Sequence, residues 1–131
     1  MILLDTHIWI WWVHRDTQLP AKCRQLIEAH VSTGIGVSVI SCWEVAMLVQ
    51  YGRLDLTAPV AEWVKASLAY PGVKLVELST EIAIGATLLP SPFHRDPADR
   101  WLVASARVLG MKLVTLDRRI LDYPHVPLAQ F

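Results

Sequence analysis

Residues 94–117 read HRDPADRWLVASARVLGMKLVTLD, and this stretch decides the fold class. Asp96 followed by Pro97 is a typical helix start, because the fixed backbone angle of proline suits the first helical turn. Apolar residues then recur at helical spacing up to Leu109, and Gly110 predicts the end of the helix. The apolar run at residues 112–116 predicts a short buried strand. A helix followed directly by a buried strand is typical of an α/β fold.

The rest of the chain repeats this alternation of short apolar runs and helical segments. Further strands are predicted at residues 1–4, 36–40 and 73–78, with a last short strand at 126–128. Helices are predicted at residues 7–14, 20–31, 41–51, 59–69, 80–88 and 97–109. Alternating strands and helices imply an α/β fold with a central, mainly parallel sheet of four to five strands flanked by helices. We expect one domain spanning residues 1–131.

The composition limits the possible functions. Hydrophobic residues make up 53% of the 131 residues and charged residues 18%, so we expect a sheet covered on both faces and an apolar interface with a partner. Twelve basic and twelve acidic residues balance, which argues against a protein that coats nucleic acid by bulk charge. The first residues lack the basic start of a signal peptide, and no apolar run is long enough for a membrane span. We therefore expect a cytoplasmic protein with reduced thiols at Cys23 and Cys42.

Acidic residues follow the predicted strands or open the predicted helices. Asp5 ends the first strand, Glu44 lies in the helix after the second, and Asp117 follows the strand at residues 112–116. Asp96 and Asp99 open the helix at residues 97–109. The carboxyl ends of parallel strands meet at one edge of a sheet, where such folds bind ligands. We therefore expect these carboxylates to lie together.

Helix capping is the alternative explanation for each acid. Ser41 and Glu44 match a capping box, in which the serine caps the helix and the glutamate reaches back to it. Asp96 fits an N-cap, and Asp117 fits a cap for a short turn at residues 118–121. At the first helix Thr6 is a better cap candidate than Asp5.

Capping does not explain the apolar surroundings of these acids. Asp5 lies between MILL and IWIWW, and Asp99 precedes Trp101, Leu102 and Val103. Carboxylates gathered in such surroundings repel one another and lose hydration, which raises their pKa values or demands a cation. A set of oxygen ligands without histidine or cysteine suits a hard ion, Mg²⁺ or Mn²⁺. Such an ion beside an open groove suits phosphoryl-transfer chemistry.

Three segments of the chain resemble one known family. LLDTHIWIWW near the start, VSVISCWEVAMLVQYGRL in the middle and HRDPADRWLVASARVLGMKLVTLD near the end resemble the PIN-domain family, above all the VapC-type toxins of bacterial toxin–antitoxin pairs. The resemblance extends from Met1 to about Pro127. It implies a three-layer PIN-like α/β domain that acts as a metal-dependent endoribonuclease. It also implies a VapB-like antitoxin and a second copy of the chain as partners, with RNA as the substrate.

The resemblance assigns roles to individual residues. The family's four acidic positions, which hold the metal and serve catalysis, match Asp5, Glu44, Asp99 and Asp117. Auxiliary roles are implied for Asp96 and Thr115, and we add Thr6 because it directly follows Asp5. The chain departs from the family pattern at Ala98, where an aromatic residue is usual, and at Leu48, where lysine is frequent.

Arginine, tryptophan and histidine residues near the acids have two explanations each. Phosphate contact is the functional explanation for Arg95, Arg100 and Arg118, and for the neighbouring Arg119, whereas an exposed arginine paired with an acid is the ordinary one. Trp9, Trp11 and Trp12 suit either stacking on RNA bases or packing in the core and at an interface, and we favour packing. Trp43 and Trp101 are predicted in the core. No catalytic role is predicted for His7 or His94.

Two other functional classes fit less well. A magnesium phosphohydrolase of the haloacid-dehalogenase type needs a second aspartate two residues after the first, where this chain has His7. A response-regulator receiver needs a lysine after a late strand, and this chain has Arg118 there. The non-enzymatic alternative is an interaction module whose acids only cap helices. Metal binding distinguishes that module from a nuclease.

Overall fold

Four short strands form one sheet in which every neighbouring pair is parallel. The computed structural model describes residues 1–131, and its strands lie in the order β3-β2-β1-β4. They are β1 (Ile2–Leu4), β2 (Ile35–Ser38), β3 (Val73–Val76) and β4 (Lys112–Val114). Seven helices flank the sheet: α1 (Thr6–His14), α2 (Ala21–Ala29), α3 (Val39–Gln50), α4 (Val60–Leu68), α5 (Thr80–Thr87), α6 (Pro97–Leu109) and α7 (Arg118–Leu121). The predicted α/β class with a parallel sheet of four to five strands is confirmed.

Both faces of the sheet are covered, which makes three layers. Alternate residues of a strand point to opposite faces, so Ile2 and Leu4 of β1 join one core and Leu3 joins the other. The first core contains buried residues of α1 and α2 together with Trp63 of α4. The second contains buried residues of α5 and α6 together with Ile120 of α7. The two covered faces account for much of the high apolar content.

The predicted boundary between the second strand and the third helix was wrong. Strand β2 ends at Ser38, whose side-chain oxygen accepts a hydrogen bond from the amide of Ile40 at 3.1 Å and caps helix α3. The helix therefore begins at Val39, inside the segment that we predicted as strand. Periodicity cannot separate a short apolar strand from a buried helical turn, which explains the error.

Two other predicted strands differ in the structure. Strand β3 stops at Val76 and lies at the edge of the sheet, so Lys74 and Leu75 are exposed rather than buried. The predicted strand at residues 126–128 is reduced to a single parallel bridge between Leu128 and Leu113. No helix is long and apolar enough to cross a membrane.

Strands β2 and β3 lie on one side of β1, and β4 lies on its other side. Helix α1, which follows β1, packs on the first core, whereas α7, which follows β4, packs on the second. The two connections therefore diverge and leave a crevice at the carboxyl ends of these neighbouring strands. Asp5 and Asp117 follow these two strands directly, so the crevice opens beside them.

Candidate metal and active site

Five carboxylates surround one cavity at this crevice. The cavity has a volume of about 300 Å³, and its wall also contains His7, Trp11 and Arg119. The carboxylates belong to Asp5, Glu44, Asp96, Asp99 and Asp117. They come from the ends of β1 and β4 and from helices α3 and α6, so segments distant in sequence meet here.

Asp5 is fixed by two donors on opposite sides of its carboxylate. Its Oδ1 accepts from the amide of Thr6 at 2.7 Å, so Asp5 caps α1, a role that we had predicted for Thr6. Its Oδ2 accepts from the hydroxyl of Thr115 at 2.6 Å. The Thr115 oxygen in turn accepts from the amide of Asp117 at 3.0 Å, which links the ends of the two central strands. Burial raises the pKa of Asp5.

Glu44 points toward the same cavity from the second turn of α3. The predicted capping box with Ser41 was wrong, because α3 begins at Val39 and Ser38 is the cap. The Thr6 hydroxyl instead donates to Glu44 Oε1 at 2.5 Å and lies 2.9 Å from the hydroxyl of Ser41. Burial raises the pKa of Glu44 to about 7, and the nearby charge of Asp5 acts in the same direction.

Asp99, in the first turn of helix α6, has a buried carboxylate with two side-chain partners. Its Oδ2 lies 2.6 Å from Nε2 of His94 and accepts from Nη2 of Arg119 at 3.4 Å. The residue is 5% exposed, and burial raises its pKa to about 6. The charge of Asp96 also favours the protonated form, whereas the hydrogen bond with His94 opposes it.

Asp96 and Asp117 are helix caps, as the sequence predicts. The Oδ1 of Asp96 accepts from the amides of Ala98 and Asp99 at the start of α6. Asp117 caps α7 by accepting from the amide of Arg119 at 2.9 Å. Burial alone would raise the pKa of Asp117, but hydrogen bonds from Arg119 outweigh it and hold the pKa below its ordinary value.

Arg119 is the arginine that reaches the carboxylates. Its guanidinium lies between Asp99 and Asp117, 3.4 Å from the first and 3.2 Å from the second. Arg100 turns away and donates to the carbonyl oxygens of Ala86 and His94, and Arg118 lies 3.8 Å from Asp122. Neither Arg95, Arg100 nor Arg118 lines the cavity.

The sequence predicted no role for His94, and for Arg119 it offered a phosphate contact or an ordinary pair with a nearby acid. His94 follows an irregular loop, and no periodic pattern indicates that its ring returns to Asp99. For Arg119 a signal existed, because a side chain two residues after an N-cap aspartate lies beside the capping carboxylate. The prediction of a core position for Trp43 was wrong, since that residue is 51% exposed. Trp101 is half-buried against the second core.

The oxygens at this site suit a hard divalent ion in their chemistry. No three Asp, Glu, His or Cys side chains are grouped closely enough to hold a metal ion as they stand. Glu44 Oε2 and Asp99 Oδ1 accept no hydrogen bond from the protein, and both residues line the cavity. Burial raises the pKa values of three of these carboxylates, because too little positive charge lies nearby to offset it. A divalent ion would supply that charge.

The PIN-domain family model matches residues 2–126, nearly the whole chain. The chain belongs to the PIN-domain family. It is also 36% identical over 124 residues to Ribonuclease VapC22 of Mycobacterium tuberculosis, a match that covers 95% of this chain and 92% of that protein. The resemblance seen in the sequence is therefore confirmed.

Solved structures with the same PIN-domain fold come from bacterial protein pairs. The crystal structure of VapBC2 from Rickettsia felis bound to a promoter DNA fragment matches with a TM-score of 0.70 at 18% identity, covering 98% of each chain. FitAcB from Neisseria gonorrhoeae matches with a TM-score of 0.68 at 19% identity, covering 99% of this chain and 97% of that one. At this identity the likeness shows the shared fold.

Proposed function

We propose that this PIN-domain protein is a divalent-metal-dependent endoribonuclease, and that it is the toxin of a VapBC-type toxin–antitoxin pair. The observation that carries the proposal is the single cavity that Asp5, Glu44, Asp99 and Asp117 line together. Similarity to Ribonuclease VapC22 supports RNA as the substrate. Solved VapBC complexes of the same fold support a VapB-like antitoxin as the partner.

Asp5, Glu44, Asp99 and Asp117 are the residues that would hold the ion, Mg²⁺ or Mn²⁺. When bound there, the ion supplies positive charge beside the scissile phosphate and makes a water molecule more acidic. Thr115 and His94 keep the carboxylates of Asp5 and Asp99 in fixed orientations. Thr6 holds one oxygen of Glu44 by a hydrogen bond.

Glu44 is held in place by Thr6, whose hydroxyl donates to its Oε1, and its Oε2 has no protein donor. Burial raises the pKa of Glu44 to about 7 without a metal ion, and a divalent ion bound at this carboxylate would lower that pKa. Arg119, beside Asp99 and Asp117, is the nearest cation for a phosphate oxygen.

The partners and location of the protein belong to the same proposal. Large exposed apolar side chains, among them Ile84 of α5 and Leu88 directly after it, support a protein interface, which we assign to a second copy of the chain and to the antitoxin. A toxin of this kind acts on cytoplasmic RNA, so we place the protein in the cytoplasm.

The cleavage of a mixed RNA pool by antitoxin-free protein tests the proposed activity. The assay compares Mn²⁺, Mg²⁺ and EDTA, and it includes the Asp5→Asn variant. Asp122→Asn is the matched control, because Asp122 is an exposed acid close in sequence to Asp117 that does not line the cavity. We expect cleavage by the natural protein and by Asp122→Asn with a metal ion, and none with EDTA or Asp5→Asn.

An interaction module is the second candidate, and one observation favours it. Asp5, Asp96 and Asp117 all cap helices, so capping alone explains three of the acids. If this candidate is correct, the folded protein cuts no RNA and Asp5→Asn changes only its stability. Cleavage that persists in EDTA would contradict the metal-dependent mechanism.

A further inference from the structure

Arg100 points away from the carboxylate cavity, although it directly follows Asp99 in the chain. Neighbouring positions of a helix diverge by about 100°, so these two side chains leave α6 in different directions. Arg100 does not line the carboxylate cavity, and its guanidinium forms no ion pair with any acid. A contact with a phosphate in that cavity therefore does not account for this side chain.

The guanidinium of Arg100 binds two main-chain carbonyl groups instead. Its Nε donates to the carbonyl oxygen of Ala86 at 2.9 Å, and its Nη1 donates to that of His94 at 3.2 Å. Ala86 lies in the last turn of α5, and the residue four positions later is Pro90, which has no N–H to donate. Arg100 supplies the donor that this carbonyl lacks, and it ties the end of α5 to the loop before α6.

His94 is held at two points by two consecutive residues of α6. Its carbonyl oxygen accepts from Arg100, and Nε2 of its ring lies 2.6 Å from Oδ2 of Asp99. The ring of Phe93 lies beside the His94 ring, with 4.2 Å between centroids. The guanidinium carbon of Arg100 is 5.9 Å from the centre of the same Phe93 ring. The main chain and the side chain of His94 are therefore both fixed.

The orientation of the Asp99 carboxylate depends chiefly on His94. The other donor to Oδ2 is Arg119, which lies 3.4 Å away and has a side chain that is 58% exposed, so it holds the carboxylate less firmly. Because His94 and Arg119 both bind Oδ2, Oδ1 is the oxygen that has no protein donor. A His94 ring that could swing would let this carboxylate rotate with it.

We propose that Arg100 is a positioning residue of the metal site, which acts through His94 on the carboxylate of Asp99. The proposal rests on the proposed function, since it takes Asp99 as one of the residues that hold the ion. Arg100 fixes the main chain of His94 and so keeps the ring against Asp99 before an ion binds. Groups that orient metal ligands in this way typically change metal affinity by about ten- to a hundredfold when they are removed.

The affinity for Mn²⁺, measured by calorimetry without RNA, tests this role apart from any cleavage. We expect Arg100→Gln, which removes the two donors, to weaken binding about tenfold. Arg107→Gln is the matched control, because Arg107 is an exposed arginine of the same helix whose Nη1 also donates to a main-chain carbonyl, that of His125. Arg107 does not line the carboxylate cavity, and we expect its variant to bind Mn²⁺ like the natural protein.

A double substitution with His94→Ala tests the route through the ring. If Arg100 acts on Asp99 by fixing His94, its loss changes little once the ring is gone, so the double variant should bind Mn²⁺ as His94→Ala does. A merely structural role predicts that the two losses multiply.

Arg100→Lys is a milder variant that keeps the positive charge. Its ammonium lacks the planar fork that reaches both carbonyls, so its Mn²⁺ affinity should lie between those of Arg100→Gln and the natural protein. Circular dichroism should first show that each variant is folded.

Three results would overturn the proposal. They are natural affinity in Arg100→Gln, equal weakening in Arg100→Gln and Arg107→Gln, and losses that multiply in the double variant. An arginine that contacted only an RNA phosphate would give the first result, because cleavage would fall while the Mn²⁺ affinity stayed unchanged. If the natural protein bound no Mn²⁺, the metal-dependent function would fail together with this proposal. Any of the three results in a protein that binds Mn²⁺ leaves that function intact.

Discussion

At the scale of single residues, the buried hydroxyl of Thr115 joins the two central strand ends. It donates to Asp5 and accepts from the amide of Asp117, and the residue is 1% exposed. Thr115→Val keeps the shape and removes both bonds, so we expect the free energy of unfolding to fall by about 1–3 kcal/mol. Denaturant unfolding measures the loss. Thr115→Ser, which keeps the hydroxyl, should lose less, and equal losses would contradict this role.

The raised pKa of Glu44 predicts how stability varies with pH in EDTA. Its pKa rises from an ordinary value of 4.5 to about 7 on folding, so the folded chain binds a proton that the unfolded chain releases between these values. The free energy of unfolding should therefore fall as pH rises through this window, and Asp99 acts in the same direction. Thermal unfolding at several pH values measures the effect.

Glu44→Gln is the comparison that isolates this carboxyl. Glutamine does not titrate, so the decline in unfolding temperature between pH 4.5 and 7 should be smaller in this variant. An equal decline in both would show that Glu44 does not carry the raised pKa.

The residues of the site were only partly predictable from the sequence. Acids that follow strands or open helices are visible as local patterns, and Asp5, Glu44, Asp99 and Asp117 all line the cavity. The position of His94 depends on a loop that returns over the start of α6, and no local pattern encodes such a path. The pairing of Arg119 with Asp117 follows from the cap, but its contact with Asp99 depends on how a long, exposed side chain turns.

At the scale of single elements, two substitutions of Asp96 test its role as the cap at the start of α6. Asp96→Ala removes the acceptor for the amides of Ala98 and Asp99, and we expect a loss of about 1 kcal/mol in the free energy of unfolding. Asp96→Asn still caps and should stay near the natural stability. Chemical denaturation measures both, and equal stability of the alanine variant would contradict the cap.

Helix positions were predicted well where Pro, Gly or a capping residue marks the boundary. The bounds predicted for α6 agree with the structure, because Pro97 opens it and Gly110 closes it with a left-handed backbone. The start of α3 was missed, because Val39 and Ile40 continue the apolar run of β2. Ser38 was the overlooked signal, as a capping residue inside an apolar run.

At the scale of the whole molecule, the sheet holds two cores together, and Gly36 shows how closely its layers pack. A Cβ at this position would lie 3.0 Å from the carbonyl oxygen of Ile2 and 3.1 Å from Cγ2 of Val76. The strand carbonyl cannot yield without disturbing β1. We expect Gly36→Ala to lower the free energy of unfolding by about 1–3 kcal/mol, measured by denaturant titration.

Gly85→Ala is the matched control for this substitution. Gly85 lies in α5, and a Cβ there would be 3.7 Å from the nearest atom, an ordinary contact. Alanine should raise the free energy of unfolding by about 0.5–1 kcal/mol, because glycine is costly in a helix interior. A Gly36→Ala variant as stable as Gly85→Ala would show that the sheet is less tightly packed than the structure indicates.

The parallel sheet followed from the alternation of elements along the chain, but the strand order did not. Local patterns show where strands lie, and they do not show that β4 pairs with β1 rather than with β3. That pairing creates the crevice beside Asp5 and Asp117. The exposure of the edge strand β3 could likewise not be predicted, because a run of apolar residues has the same pattern at the edge of a sheet and in its centre.

Binding of Mn²⁺ to the antitoxin-free protein, measured by calorimetry, tests the central claim most directly. We expect binding by the natural protein and by the control Asp122→Asn, with binding weakened at least about tenfold in Asp5→Asn and Asp99→Asn. All four proteins should first be shown to be folded by circular dichroism. No binding by the folded natural protein, or equal binding by all four, would contradict a metal site at these carboxylates and leave helix capping as the role of Asp5.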